Sequence, residues 1–472
     1  MATTTTPILS LNPATEEVLA SFDPFTSEQV GDALADADRA FRVWRERSIE
    51  ERAGPMRRLA TILRERSDRY ARLMTEEMGK PIAEARAEIE KCAFACEHFA
   101  ENAARYLADE PIVANARRSV VAFEPLGVVL AVMPWNFPFW QVVRFAAPAF
   151  MAGNGAVLKH ASNVPRSALA IEEAFSDAGF PHGLLRTVLV AGGAIEPLID
   201  DPRIRAVTLT GSSDTGSRIA ERAGRNLKKT VLELGGSDPF IVLRDADLDA
   251  AAVTAARARN QNTGQSCIAA KRFIAERGVA EDFERRFAKA VEDLVVGDPL
   301  DPKTQVGPLA RRDLLETLER QVDESVRLGA RVLTGGERIG GKGFFYRPTV
   351  LAEVTEAMPV FKEETFGPVA AVLRVRDADE AVRVANDSQY GLGASVWTRD
   401  VAFGERLARK IESGSVFING MVASDPRLPF GGVKRSGYGR ELSAFGIREF
   451  TNIQTIWIGP AEGKPSASPP AE

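Results

Sequence analysis

From Ser27 onward the apolar residues Val30, Leu34, Ala37, Phe41 and Trp44 recur at the spacing of one helical face, with Ser27 placed as N-cap and Glu28 in the first turn. A second helix is predicted to run to about Met78. A third begins near Pro81, a residue suited to the first helical position, and its apolar stripe carries Ile89, Cys92, Cys96 and Phe99. The period then changes. Apolar runs at 128–132, 156–159, 187–190, 206–209 and 230–234 alternate with helical stretches, which predicts βα units around a parallel sheet covered on both faces. The same alternation returns between about Ser237 and Ser443 and predicts a second α/β domain, and a last strand-like run covers 449–459.

Composition narrows the class without naming a chemistry. At 472 residues the chain exceeds one ordinary domain. A net charge of −5 with 26% charged residues gives no basic surface for nucleic acid and no bias toward an acidic membrane. The opening MATTTTP lacks a basic and an apolar leader region, and no run approaches a membrane span, so cytoplasm is the expected location. Three cysteines are too few for a disulfide framework and fit a reducing compartment. Cys92, Cys96 and His98 invite a metal reading, but the cysteines fall on the core stripe and a fourth ligand is missing, so no metal is expected. The end of the chain, GPAEGKPSASPPAE, has the composition of a disordered tail.

Candidate chemistry gathers at Cys267, in RNQNTGQSCIAAK at 259–271, between a predicted helix at 247–259 and a strand at 272–275. A lone cysteine is usually a small buried hydrophobe. Here its neighbours are small or polar, and it lies in a loop between regular elements, where reactive groups concentrate. A second stretch, VLELGGSDPF at 231–240, ends a strand at Glu233 beside a glycine pair, a setting in which desolvation equips a carboxylate as a general base. A third, VVLAVMPWNFP at 128–138, ends in a rigid corner that fixes the amide of Asn136, either as a turn residue or as a donor to an oxyanion. After the strand at 207–210 comes GSSDTG, with Gly211 and Ser212, and then a helix from Ser217. A strand-turn-helix of this kind presents N–H groups to a phosphate, although it is not GxGxxG. Arg144 interrupts the apolar helix FWQVVRFAAPAF; it needs either an internal carboxylate or the carboxylate of a substrate. The three histidines, His98, His160 and His182, stand away from Cys267 in sequence, against a Cys-His hydrolase.

GQSC at 264–267, ELGG at 233–236, PWNFP at 134–138, ETFGPV at 364–369 and PFGGVKRSGYGRE at 429–441 together closely resemble the NAD(P)-dependent aldehyde dehydrogenase superfamily, in its order, from about Leu11 to Trp457. The resemblance implies an aldehyde dehydrogenase-like α/β fold with two Rossmann-like parallel-sheet domains. The dinucleotide-binding domain would span 1–104 and 125–236, the catalytic domain 237–443, and a small protruding β segment for oligomerisation 105–124 and 444–460, leaving the tail at 461–472. It implies a covalent oxidation in which the Cys267 thiolate attacks an aldehyde, Asn136 and the cysteine N–H hold the oxyanion, hydride leaves to the nicotinamide, and Glu233 activates the water that releases the acid.

Trp135, Lys159, Gly211, Ser212, Gly235, Glu364 and Phe366 match the cofactor-binding positions of that family. Ser162 stands where NAD-preferring members often carry a glutamate that repels a 2′-phosphate, so either NAD or NADP is expected, with NAD favoured by the family context. Arg144 resembles the arginine of succinate-semialdehyde dehydrogenases, and Ser424 their second carboxylate contact. Gln261 departs from the arginine that some of them carry there. Succinate semialdehyde is the expected substrate, ahead of glutarate semialdehyde or a medium-chain or aromatic aldehyde; a CoA-acylating or catalytically silent relative is the remaining alternative. A homodimer or homotetramer is the expected partner state.

Overall fold

The computed structural model of the chain describes residues 6–459, so the tail expected at 461–472 lies outside the described residues. Two large sheets organise the molecule. The first has six strands in the order Gly437–Tyr438, Lys229–Glu233, Ile204–Thr210, Val128–Met133, Gly155–His160 and Leu185–Thr187. All are parallel except the short edge strand, where Gly437 opposes Glu233 in antiparallel register. The strands Val128–Met133 and Gly155–His160 are buried at every position because helices cover both faces, which is why the sequence reads there as apolar runs.

The second sheet has seven strands in the order Arg331–Thr334, Thr349–Ala352, Val369–Val375, Ala270–Glu276, Asp238–Val242, Gly393–Trp397 and Ser415–Ile418. Only Arg331–Thr334 runs antiparallel. A third, three-stranded sheet joins Thr451–Ile458, Arg118–Pro125 and Glu110–Pro111. Among the described residues, no helix is long and apolar enough to cross a membrane.

Local differences from the sequence reading have identifiable causes. Thr26, not Ser27, caps the first helix, Ser27–Trp44, because its hydroxyl accepts from Gln29 while the Gln29 side chain returns to the Thr26 N–H. The stretch to Met78 is two helices, Ile49–Glu65 and Ser67–Met78, broken at Arg66. Pro81 sits one position outside the helix Ile82–Tyr106, whose buried stripe includes Ile89, Cys92, Cys96 and Phe99. The strand expected at 187–190 is Leu185–Thr187; Val188 adds one more bond, its N–H donating to Leu158 O at 2.9 Å, and both Val188 and Val190 pack in the core. The helix expected from Ser217 begins at Ser213, since Ser212 supplies the cap by accepting from the Thr215 N–H.

Candidate active site

Cys267 lies between the helix Leu248–Asn260 and the strand Ala270–Glu276, in a loop held from beneath by buried cations. The ammonium of Lys271 donates to the carbonyls of Ser266 and Cys267, both at 2.9 Å, and Arg259 donates to Gly264 O. These bonds leave the loop little freedom. Gly264 adopts φ +72°, and a side chain there would meet the Gly367 main chain at 2.4 Å, so glycine is required. Asn262, also left-handed at φ 55°, donates from its side chain to Asn136 O at 2.8 Å and to Gln265 O at 3.0 Å. Asn136 Nδ2 donates to Gln265 O at 3.1 Å in turn. The corner at Asn136 is thereby tied to the cysteine loop. Nothing in the periodicity marks Asn262; its position beside a loop glycine, as a residue tolerant of left-handed backbone, was the available signal.

The glycine pair after Glu233 lets the two sheets meet. A Cβ on Gly236 would lie 2.5 Å from Cys267 O, and one on Gly235 would lie 2.5 Å from a Glu364 oxygen. The Gly236 N–H donates to Glu364 Oε1 at 2.9 Å, and Lys271 Nζ stands 3.6 Å from the same oxygen.

Cys267 borders two cavities. One, of about 720 Å³ including its open mouth, is walled by Trp135 and Asn136, by Gly211 and Ser212, and by Gly235, Glu364 and Phe366. The rings of Trp135 and Phe366 meet edge to face at 5.7 Å. Lys159 and Ser162 do not line this cavity: Lys159 is buried near the end of the adjacent strand, with its ammonium pulled below the ordinary range by desolvation, and Ser162 is exposed just beyond it. The Gly211 N–H is not free, since it donates to Glu233 O at 3.0 Å. Any anion at this turn therefore faces the first-turn N–H groups of Ser213 and Asp214, which the helix cannot satisfy itself.

The other cavity, of about 450 Å³, brings together Arg144, Gln261 and Ser424, which the sequence had singled out, with Lys91, Trp140 and Phe430, which it had not. Arg144 resolves the choice left open by the sequence in an unexpected way. It pairs through Nε with the buried carboxylate of Glu441, donates from Nη2 to Thr210 Oγ1 at 3.3 Å, and stacks its guanidinium over Phe430 at 4.7 Å. An internal carboxylate thus holds part of the fork that a bidentate grip on a substrate would need, although the residue still borders the cavity.

Glu233 also departs from expectation. It is buried and lines neither cavity, and Cβ geometry puts its Oε1 against Gly431, so the carboxylate does not project into the cleft. Neither of its oxygens has a hydrogen-bond partner. Burial, and then the neighbouring Glu441 carboxylate, push its pKa well above the usual carboxylate range, against the pull of Arg144. Desolvation likewise pushes the Cys267 thiol up to about 12, against the pull of Arg144 and Lys271, so a thiol rather than a thiolate is the resting form.

Comparison with known proteins agrees with this geometry. Residues 1–456 match the model of the aldehyde dehydrogenase family. A probable succinate-semialdehyde dehydrogenase [NADP(+)] of Synechocystis is 51% identical, over 96% of this chain and 99% of its own. Succinate-semialdehyde dehydrogenase [NADP(+)] 1 of Mycobacterium tuberculosis is also 51% identical, over 96% of this chain and the whole of its own. Among solved structures, succinic semialdehyde dehydrogenase from Streptococcus pyogenes in complex with NADP+ superposes with a TM-score of 0.94 at 40% identity, covering 96% of this chain and all of that one. The expectation that NAD is the favoured cofactor finds no support in these relatives, all three of which carry NADP in their descriptions. With a match that spans nearly its whole length, the chain belongs to the aldehyde dehydrogenase family and is an enzyme that oxidises an aldehyde.

Proposed function

We propose that this enzyme oxidises succinate semialdehyde to succinate with NADP as hydride acceptor. The observation that carries the reading is Cys267 on the border of two cavities, one walled by glycine turns and aromatic rings, the other lined by two cations and no carboxylate. The names of the relatives support the choice of substrate and cofactor.

The residues of the first cavity fit a dinucleotide. Glycine at 235 keeps open the space beside Glu364 that a side chain would fill, and Gly211 and Ser212 lead into the free N–H groups of a helix start. Trp135, Gly235, Glu364 and Phe366 would hold the nicotinamide end, and Lys159 and Ser162 the adenosine end, where an uncharged side chain admits a 2′-phosphate. When bound, the cofactor supplies the hydride acceptor.

In the proposed reaction the Cys267 thiol first gives its proton to solvent; the thiolate Sγ adds to the aldehyde carbon, and the carbonyl oxygen becomes an oxyanion held by the Cys267 N–H and by Asn136 Nδ2, one of whose two hydrogens is committed to Gln265 O. Departure of hydride from that carbon leaves a thioester on Cys267. Water attacks the thioester, Glu233 takes its proton, and the acid leaves as the thiol is restored. For this step the Glu233 side chain must turn from Arg144 and Glu441 toward Sγ. Its raised proton affinity suits a group that accepts a proton from water at neutral pH.

The exposed residues Ile453 and Trp457 on the outer strand Thr451–Ile458 support a homo-oligomer that covers this sheet, since a long apolar edge strand invites pairing.

The test is NADPH formation with succinate semialdehyde, glutarate semialdehyde, butanal and benzaldehyde, each with and without CoA. Succinate semialdehyde with a CoA-independent rate is expected to lead. Uniform rates across the panel would return the enzyme to a general aldehyde dehydrogenase, and a rate that needs CoA would make it an acylating one.

A further inference from the structure

Among the described residues, the substrate-side cavity contains one cation that forms no ion pair. Lys91 extends from the helix Ile82–Tyr106, and its ammonium donates to Ser424 Oγ at 2.7 Å and sits 4.3 Å above the Trp140 ring. Among the described residues no carboxylate lies within 4.0 Å of it. The acidic groups nearby are otherwise engaged. Glu88 pairs with Lys80 and accepts from the N–H groups of Phe139 and Trp140 at 2.9 Å, while both oxygens of Asp425 are held by Arg427. Arg144, the other cation in the cavity, is matched by Glu441.

Lys91 is half-buried, and even partial burial of an unpaired ammonium is costly unless something occupies the site with opposite charge. Desolvation, and then the proximity of Arg144, pull the Lys91 ammonium down to about 8, so two positive groups converge on one small space. The lining also includes Gln261, a neutral residue that can donate to a carboxylate but cannot balance its charge. Lys91 and Gln261 reach this cavity from different elements, the helix Ile82–Tyr106 and the short turn Gln261–Gly264.

We infer that Lys91, with Ser424 as its hydroxyl partner, is the principal charged contact for the distal carboxylate of the substrate and the residue that makes this enzyme selective for an aldehyde acid over a neutral aldehyde. Arg144 then acts beside it with the part of its guanidinium not held by Glu441 and Thr210. The inference rests on the substrate proposed above.

Kinetics at saturating NADP on the wild type, Lys91→Met and Lys91→Arg, with succinate semialdehyde and butanal, test it. Succinate is added as an inhibitor of butanal oxidation. A charged hydrogen bond lost to Met should raise the KM for succinate semialdehyde and the inhibition constant of succinate by about 10- to 100-fold, with kcat and the butanal constants changed by less than about 3-fold. Arg should restore most of the loss. Equal losses for both aldehydes would show that Lys91 only supports Trp140 and Ser424, and an unchanged preference in the Met variant would also overturn the inference. If the wild type itself does not prefer succinate semialdehyde to butanal, the substrate proposal fails first, which the wild-type comparison reveals without any variant.

Discussion

The two cavities that meet at Cys267 are built by opposite means. The cofactor-side cavity is walled by neighbours in sequence, taken in short runs: Trp135 with Asn136, Gly211 with Ser212, Leu234 with Gly235. Main-chain turns at strand ends shape it, so each wall carries its own local motif. The substrate-side cavity also includes runs, at 266–268 and 422–424, but the polar side chains that give it its character, Lys91, Arg144, Gln261 and Ser424, come from separate segments, and that character is set by which charges find partners across the fold. The first is a property of backbone geometry and the second of tertiary pairing. Changes on the first side, Asn136 and Cys267 apart, should therefore alter the cofactor alone, and changes on the second should split into those that read the substrate and those that hold the fold.

The sharpest test of this division is at the shared border. Cys267→Ala should lower aldehyde oxidation by about 10⁴-fold or more, as loss of a covalent nucleophile does, while NADP affinity from a fluorescence titration stays close to that of the wild type, because the remaining walls of the cofactor cavity are intact. Substantial residual turnover would remove Cys267 from the nucleophile's role. The companion change Glu233→Gln should keep a single burst of NADPH and stall at the thioester; absence of the burst in rapid mixing would place Glu233 earlier, as the group that first deprotonates the thiol.

Arg144→Met probes the substrate side, and its predicted effect is chiefly on the fold. It would strand the Glu441 carboxylate, buried and beside an already crowded Glu233, and breaking a buried pair costs about 3–5 kcal/mol. Chemical denaturation should show that loss, and oxidation of succinate semialdehyde and butanal should fall together. Adding Glu441→Met to the same chain should recover much of the stability. A variant of Arg144 that stays stable and loses only succinate semialdehyde would move the substrate-reading role from Lys91 to Arg144.

The state of the thiol gives a pH test. Since burial raises the Cys267 thiol to about 12, the thiolate is a small minority at neutral pH and grows about tenfold per pH unit below that value. Alkylation of the ligand-free enzyme by iodoacetamide should accelerate accordingly from pH 7 to 10 without a plateau, with Cys92 and Cys96 protected in the core. A plateau near pH 8 would mean that the site depresses the thiol's proton affinity before any ligand arrives.

The division also explains what could be read in advance. Glu233, Gly235, Asn136, Cys267 and the ETFGPV residues sit where a strand ends or a turn begins, and the residue types that such turns require are visible in a single sequence. The two parallel sheets were legible for the same reason, since strands covered on both faces become unbroken apolar runs. Lys91 was not, because a lysine on an amphipathic helix normally reads as a solvated one, and it is the approach of the Ser424 and Gln261 segments that half-buries it. The Arg144–Glu441 pair spans almost three hundred residues of chain, so the sequence could state that Arg144 needed a partner without finding it. Glu233 was placed correctly at its strand end, but the direction of its side chain depends on Gly431 and on the cluster around Glu441, which local pattern does not encode.

The smallest predicted effect lies at the outer end of the cofactor side, where Ser162 stands exposed beyond the strand Gly155–His160. A glutamate there would face a 2′-phosphate with like charge and would offer a ribose hydroxyl a carboxylate acceptor, so it penalises NADP and favours NAD at once. Between exposed charges a few ångströms apart the repulsion is about 1 kcal/mol in a water-like medium, which predicts a shift of roughly 5- to 10-fold in the NAD to NADP ratio of kcat/KM for Ser162→Glu. Because the repulsion acts through solvent, added salt should shrink the shift. The KM values for succinate semialdehyde should not move, since the change is remote from the cavity holding Lys91. A ratio unaltered by the substitution would place the 2′-phosphate elsewhere, and a changed aldehyde preference would show that the two sides of Cys267 are coupled more tightly than their separate construction implies.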